Sequence, residues 1–209
     1  MNIYEMTLNE YLDVASSKSP TPGGGSVSAV VAANAAAMVS MVANLTLGKK
    51  AYESVQDDVV NILDIMDNIL TGIKVLTEKD ILAFQSFMDA WRLPLSTDDE
   101  KSIKKEAMEK AAQNASLVPL DLCRTCLDIL TQALRLAPVG NKSAISDVGV
   151  AVYLAEAALK AAMLSVDINL PLIEDEAFKS NIQAQKARVL IDADELKLFA
   201  LAEVKKRLQ

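Results

Sequence analysis

Apolar residues recur along this chain at helical spacing. The clearest run is Val55, Val59, Ile62, Met66, Ile69, Ile73 and Leu76, whose steps of four and three place the side chains on one helix face. The same frame continues through Asp80 to Ala83 and Phe87, so a carboxylate occupies a position in an apolar stripe. This periodicity predicts a long helix from about Tyr52 to Leu93. Thr7-Leu8-Asn9-Glu10 reads as a capping box that starts a short helix fading near Lys18. Thr97-Asp98-Asp99-Glu100 is a second capping box, opening a helix to about Leu136 in which Pro119 is expected to make a kink or break. Ala-rich helices are expected from Ser26 to Gly48 and from Ser146 to Val166, the second interrupted by Asn169 and Pro171. A last amphipathic helix should run from about Asp175 to Leu208. With β-type alternation scarce and no repeat or linker in view, the pattern predicts an all-α multi-helix bundle with long helices, a single domain over 1–209.

Composition sharpens this picture. Apolar residues make up 51% and aromatics 4%, so the core must be built from Ala, Leu, Val, Ile and Met. A net charge of −7 leaves no basic stripe for phosphates, which argues against a nucleic-acid partner. Histidine is absent, excluding Ser-His-Asp and Cys-His triads and His-ligated zinc. Any acid–base catalyst must then be Asp, Glu, Lys, Tyr or Cys. Cys123 and Cys126 form a CxxC on a predicted helix, but without a second pair or a βαβ context they read as packed thiols. The run from Ser26 to Leu47 is long enough to span a bilayer. Its Asn34, Ser40, Asn44 and Thr46, set among alanines, instead suggest a helix buried within a bundle or between subunits. Met1 to Asp13 lacks the basic start of a secretion signal, so no membrane is expected and the location should be cytoplasmic. Small-residue helices of this length also favour a homodimer.

Five places could carry chemistry. Pro22-Gly23-Gly24-Gly25-Ser26 precedes a helix, where free backbone N–H groups and the positive end of the dipole suit a carboxylate or phosphate. Lys49 and Lys50 follow the Gly48 helix stop; they could receive an anion or simply complement the dipole. Gly140-Asn141-Lys142 lies in a loop with Ser146 and Asp147 at the next helix start, either a ligand-orienting group or a turn with an N-cap. Asp80 is either a buried carboxylate whose pKa is raised towards proton-shuttle use, or the start of a new helix in a Thr77-Glu78-Lys79-Asp80 capping box. Arg92 reads as a substrate clamp or a surface cation.

Taken in order, Pro22-Gly23-Gly24-Gly25-Ser26, Thr46-Leu47-Gly48-Lys49-Lys50, Asp80 with Ala83-Phe84, Leu93-Pro94, Val118-Pro119-Leu120, Gly140-Asn141, Ser146-Asp147 and Asp167-Ile168-Asn169-Leu170 resemble the cyclodeaminase domain of formiminotransferase-cyclodeaminase and its free-standing bacterial relatives, methenyltetrahydrofolate cyclohydrolases among them. The resemblance covers nearly the whole chain; one departure is Leu95, where many relatives carry lysine. It implies an all-helical, dimeric, folate-dependent enzyme with Asp80 as the catalytic aspartate. It further implies that Gly23, Gly24, Gly25, Ser26, Lys49, Lys50, Asn141, Ser146 and Asp147 line the folate site. The implied reaction closes formiminotetrahydrofolate to methenyltetrahydrofolate with loss of ammonia. Hydrolysis of methenyltetrahydrofolate, and a non-catalytic folate-binding or scaffold role, are the alternatives. The substrate is a tetrahydrofolate derivative, and neither a metal nor a bound redox cofactor is implied.

Overall fold

The structure is a computed structural model that describes residues 2–209. Six α-helices run in order among these residues: α1 (Leu8–Ala15), α2 (Gly24–Thr46), α3 (Gln56–Trp91), α4 (Asp98–Leu136), α5 (Ile145–Asn169) and α6 (Glu176–Leu208). Short 3-10 turns join several of them, including Lys50–Val55 and Lys142–Ala144. Both capping boxes are present, with Thr7 and Thr97 accepting from the backbone of Glu10 and Glu100 while those glutamates accept in return. Helix α1 ends at Ala15, somewhat short of Lys18.

Helices α2, α3, α4 and α5 pack in a closed ring, each against the next, and α6 lies outside against α4 and α5. The interior is aliphatic and small, as the composition required. Ala32, Ala35, Ala36 and Val39 of α2 meet the fully buried Ile62, Met66 and Ile73 of α3, Leu130 and Leu136 of α4, and Ala151, Ala155 and Leu159 of α5. Alanine-rich faces let α2 and α5 approach closely. Both helices are long and apolar enough to cross a membrane, yet each is half buried against the rest of the bundle.

The structure decides two points that the sequence left open. The Thr77-Glu78-Lys79-Asp80 capping box does not form, because α3 is continuous through it. Thr77 is buried; its hydroxyl donates to Ile73 O at 2.9 Å and pairs with the Tyr4 hydroxyl at 3.1 Å. Nor does Pro119 break α4, which continues to Leu136. A proline leaves the carbonyl four residues back without its helical donor. That carbonyl belongs to Ala115, and the Asn169 amide donates to it at 3.0 Å. The orphaned group is satisfied from a neighbouring helix, so the helix survives.

The unequal helix lengths position the site. Helix α2 has 23 residues and α3 has 36. In this antiparallel pair the start of α2 falls level with Asp80, and the last turns of α3 run on with α4 as a projecting hairpin.

Candidate functional site

At the start of α2 the backbone comes directly under the Asp80 carboxylate. The Ser26 hydroxyl donates to Asp80 Oδ2 at 2.9 Å, and Ser26 is fully buried. A Cβ added to Gly25 would lie 2.2 Å from Asp80 Oδ1 and 2.7 Å from its Cγ, closer than side-chain atoms approach. Glycine is therefore required at 25 by the carboxylate itself. The other two glycines differ. A Cβ on Gly23 would press on Pro20 O at 3.2 Å, while Gly24 faces open space. Burial pushes the Asp80 carboxyl above the ordinary carboxylate range, and the hydroxyl and backbone N–H of Ser26 pull against that shift.

Asp80 opens into a cavity of about 290 Å³ walled by Ala83, Phe84 and Phe87 of α3, Ala115 of α4, Ser165, Ile168 and Asn169 of α5, and Leu172 beyond it. The walls are mostly apolar, and none of these residues is a cation. Asn169 points its amide N–H groups at Ala115 O and Ser165 O, leaving its Oδ1 without a protein donor among the described residues. Sequence reasoning had Asn169 as a helix interruption and as part of the Asp167-Ile168-Asn169-Leu170 stretch of the resemblance, without a role in the site, and did not single out Ser165. The signal for Asn169 lay in Pro119, whose freed carbonyl must find a donor. No group of three or more Cys, Asp or Glu side chains disposed to hold a metal ion occurs among the described residues.

The remaining expected site residues lie at the opposite end of α2, roughly 35 Å away at 1.5 Å per residue. There Gly48 adopts φ +69°, the left-handed stop expected of a helix-ending glycine, and its N–H donates to Gln56 Oε1. Lys49 and Lys50 follow, exposed and without an ion pair among the described residues. Asn141 is buried and fully engaged. Its backbone N–H donates to Thr46 Oγ1 at 2.8 Å, its amide to Leu45 O at 2.8 Å, and its Oδ1 accepts from Ser143 N at 3.1 Å. It latches the α4–α5 loop to the end of α2. Ser146 and Asp147 lie in the first turn of α5 close by, Ser146 exposed and Asp147 partly so. Within one chain, then, the expected residues form two groups rather than one: Gly23, Gly24, Gly25, Ser26 and Asp80 at one end of α2, and Lys49, Lys50, Asn141, Ser146 and Asp147 at the other.

Arg92 is an exposed cation paired with Asp89 at 3.3 Å. Cys123 and Cys126 are buried and form no disulfide, and burial pushes the Cys123 thiol up to about 12 and that of Cys126 higher still. Neither is a nucleophile at neutral pH.

An all-α ring of helices with one desolvated carboxylate facing a small apolar pocket defines a class of small-molecule site. The chain belongs to the formiminotransferase-cyclodeaminase family, whose sequence profile matches residues 7–188. It is 37% identical over 190 residues to a methenyltetrahydrofolate cyclohydrolase of Methylorubrum extorquens, covering 91% of each chain. It is 31% identical over 200 residues to the formimidoyltransferase-cyclodeaminase of Gallus gallus, covering 96% of this chain and 37% of that longer protein. The crystal structure of a formiminotetrahydrofolate cyclodeaminase from Thermotoga maritima superposes with a TM-score of 0.89 at 30% identity, over 99% of this chain and 100% of that one. This is a family of folate one-carbon enzymes.

Proposed function

We propose that this protein, a cytoplasmic homodimer, converts formiminotetrahydrofolate to methenyltetrahydrofolate and ammonia, with Asp80 as the general acid and base. The observation that carries the reading is the Asp80 carboxyl: raised in pKa by burial, held by Ser26 over Gly25, and facing an apolar cavity. One folate nitrogen attacks the formimino carbon, forming a C–N bond and a tetrahedral centre. The attacking nitrogen must lose a proton, and the amino group must gain one before its C–N bond breaks to release ammonia. Asp80 moves that proton from one nitrogen to the other. A carboxyl of ordinary pKa is a poor acid reservoir near neutral pH; a raised one holds the proton long enough to deliver it. Ser26 donates to Oδ2 and holds the carboxyl where it lines the cavity. Asn169 Oδ1, lacking a protein donor, is placed to accept an N–H of the folate ring.

A second reading is hydrolysis of methenyltetrahydrofolate to formyltetrahydrofolate, favoured by the 37% identity to a cyclohydrolase over 91% of both chains. Water then attacks the same bridge carbon, Asp80 takes a proton from it and returns one to the nitrogen whose C–N bond breaks, leaving the formyl group on the other nitrogen. The two are separated by following the methenyltetrahydrofolate absorbance band from each substrate in turn. Appearance of the band with ammonia from the formimino compound supports the deaminase. Accelerated loss of the band from the methenyl compound, without the first activity, replaces it with the hydrolase. Folded protein silent with both removes the catalytic reading.

A further inference from the structure

Pro119 is buried in the interior of the 39-residue helix α4. A proline there removes one backbone N–H and weakens the helix unless something replaces it. The carbonyl left without its donor belongs to Ala115, a residue that walls the Asp80 cavity. Asn169 supplies one N–H to Ala115 O at 3.0 Å and gives the other to Ser165 O at 2.8 Å. Both amide hydrogens are thereby committed, and flipping the group would set Oδ1 against two carbonyl oxygens. The amide is locked. The atom it has left for the cavity is an oxygen, which can only accept. Asp80 comes from α3 and Asn169 from α5, which stand diagonally across the ring of helices, with Ala115 of α4 between them. Carboxyl and amide oxygen therefore belong to opposite walls. The remaining polar side chain of the lining, the Ser165 hydroxyl, can donate or accept and so selects for neither.

We propose that Pro119 is a positioning residue for substrate choice. By locking Asn169 with Oδ1 towards the cavity, it makes the site select a ring that carries an N–H on the edge away from the reacting nitrogen. A reduced pterin has that N–H and a fully oxidised one does not. The assignment rests on the proposed function. In a pterin, N5 and N8 lie on opposite edges of one six-membered ring. With the reacting edge at Asp80, N8 faces the far wall. Every folate in the proposed reaction keeps its N8–H, which Asn169 Oδ1 accepts. In folate itself N8 is a bare acceptor, and it meets Oδ1 lone pair to lone pair. A site whose polar group is left unpaired rejects the wrong ligand, here by about 10–100-fold.

Calorimetric titration with 7,8-dihydrofolate and with folate tests this without any turnover. The two rings differ only by the hydrogens at C7 and N8. The wild type should bind dihydrofolate about 10–100-fold more tightly. In Pro119→Ala, residue 119 regains an N–H for Ala115 O, so the Asn169 amide is free to turn an N–H to the ring. That variant should lose most of the preference through tighter folate binding. Asn169→Ala in the Pro119→Ala background, where Ala115 O keeps a donor, should lose it by the opposite route, through weaker dihydrofolate binding. A proline with a purely structural role would move both affinities together. A wild type that binds both rings equally, or a natively helical Pro119→Ala with the preference intact, overturns the proposal and leaves the folate reading standing. Where Pro119→Ala fails to fold, Asn169→Ala alone decides: a preference that survives it overturns the proposal. A wild type that binds neither ring removes the folate reading and this inference with it.

Discussion

Replacing Gly25 by alanine separates stability from chemistry at this site. The new methyl carbon would lie 2.2 Å from Asp80 Oδ1, and contacts under 3.0 Å do not persist, so the carboxylate must retreat by at least about 0.8 Å. The yielding atoms are the end of a short, rotatable side chain, so the fold absorbs the change easily. Alanine also favours the helix by up to about 1 kcal/mol over glycine, against about 1.5–3 kcal/mol for a charged hydrogen bond to Ser26 if that bond is lost. Net stability should therefore fall by no more than about 1–2 kcal/mol in urea unfolding. Catalysis has no such cushion. A misplacement near 1 Å costs on the order of 10²-fold in rate. Gly25→Ala is expected to lower kcat about that much or more, with native helicity by circular dichroism. Gly72→Ala is the control: nothing lies within 4 Å of its added Cβ, so stability should rise slightly and kcat stay put. A Gly25→Ala enzyme turning over at near wild-type rate would refute the placement of Asp80 as proton carrier.

Asp80→Asn should fold normally and lose about 10²–10⁴-fold in kcat in the assay at the methenyl band. Because burial raises the folded carboxyl above its unfolded value, the folded state binds the proton more tightly. Wild-type stability attributable to Asp80 is therefore fully present below the ordinary carboxylate range and is lost as pH rises through the raised value. Thermal melts of wild type and Asp80→Asn should show the wild type losing ground across that interval; parallel curves would contradict the shift. Asn169→Ala leaves the Ala115 carbonyl without its donor and should cost about 1–3 kcal/mol in urea unfolding. The cost should shrink in a Pro119→Ala background, where residue 119 regains its own N–H; additivity in that double-mutant cycle would show that Asn169 does not serve the proline gap. Asn141→Ala removes two side-chain bonds at a buried site, to Leu45 O and Ser143 N, and should lower stability by about 2–3 kcal/mol. A negligible change would mean that Asn141 is not a latch.

Helix existence and order were legible from spacing because each helix must bury one apolar face, and that face repeats every three to four residues. Asp80 was visible as the misfit in the α3 stripe for the same reason. Whether it capped a helix or faced a cavity was not decidable from Thr77-Glu78-Lys79-Asp80, since the same residues satisfy either local geometry. The burial of Thr77 against Tyr4 and the unbroken α3 settled that. Pro119 shows the same limit: a missing N–H predicts a break only until a distant side chain supplies the donor, and Asn169 stands 50 positions along. The glycine triplet was legible as a helix start suited to an anionic group, but that Gly25 lies under a carboxylate of this same chain, 55 residues away, was not. The sequence alone determined an all-helical chain with one carboxylate out of place and no histidine to help it, because those depend on local periodicity and residue chemistry. Only the tertiary structure decided that Asp80 meets the start of α2 while Lys49, Lys50 and Asn141 lie at its far end, because a rigid 23-residue helix holds its two ends apart whatever the chemistry at either.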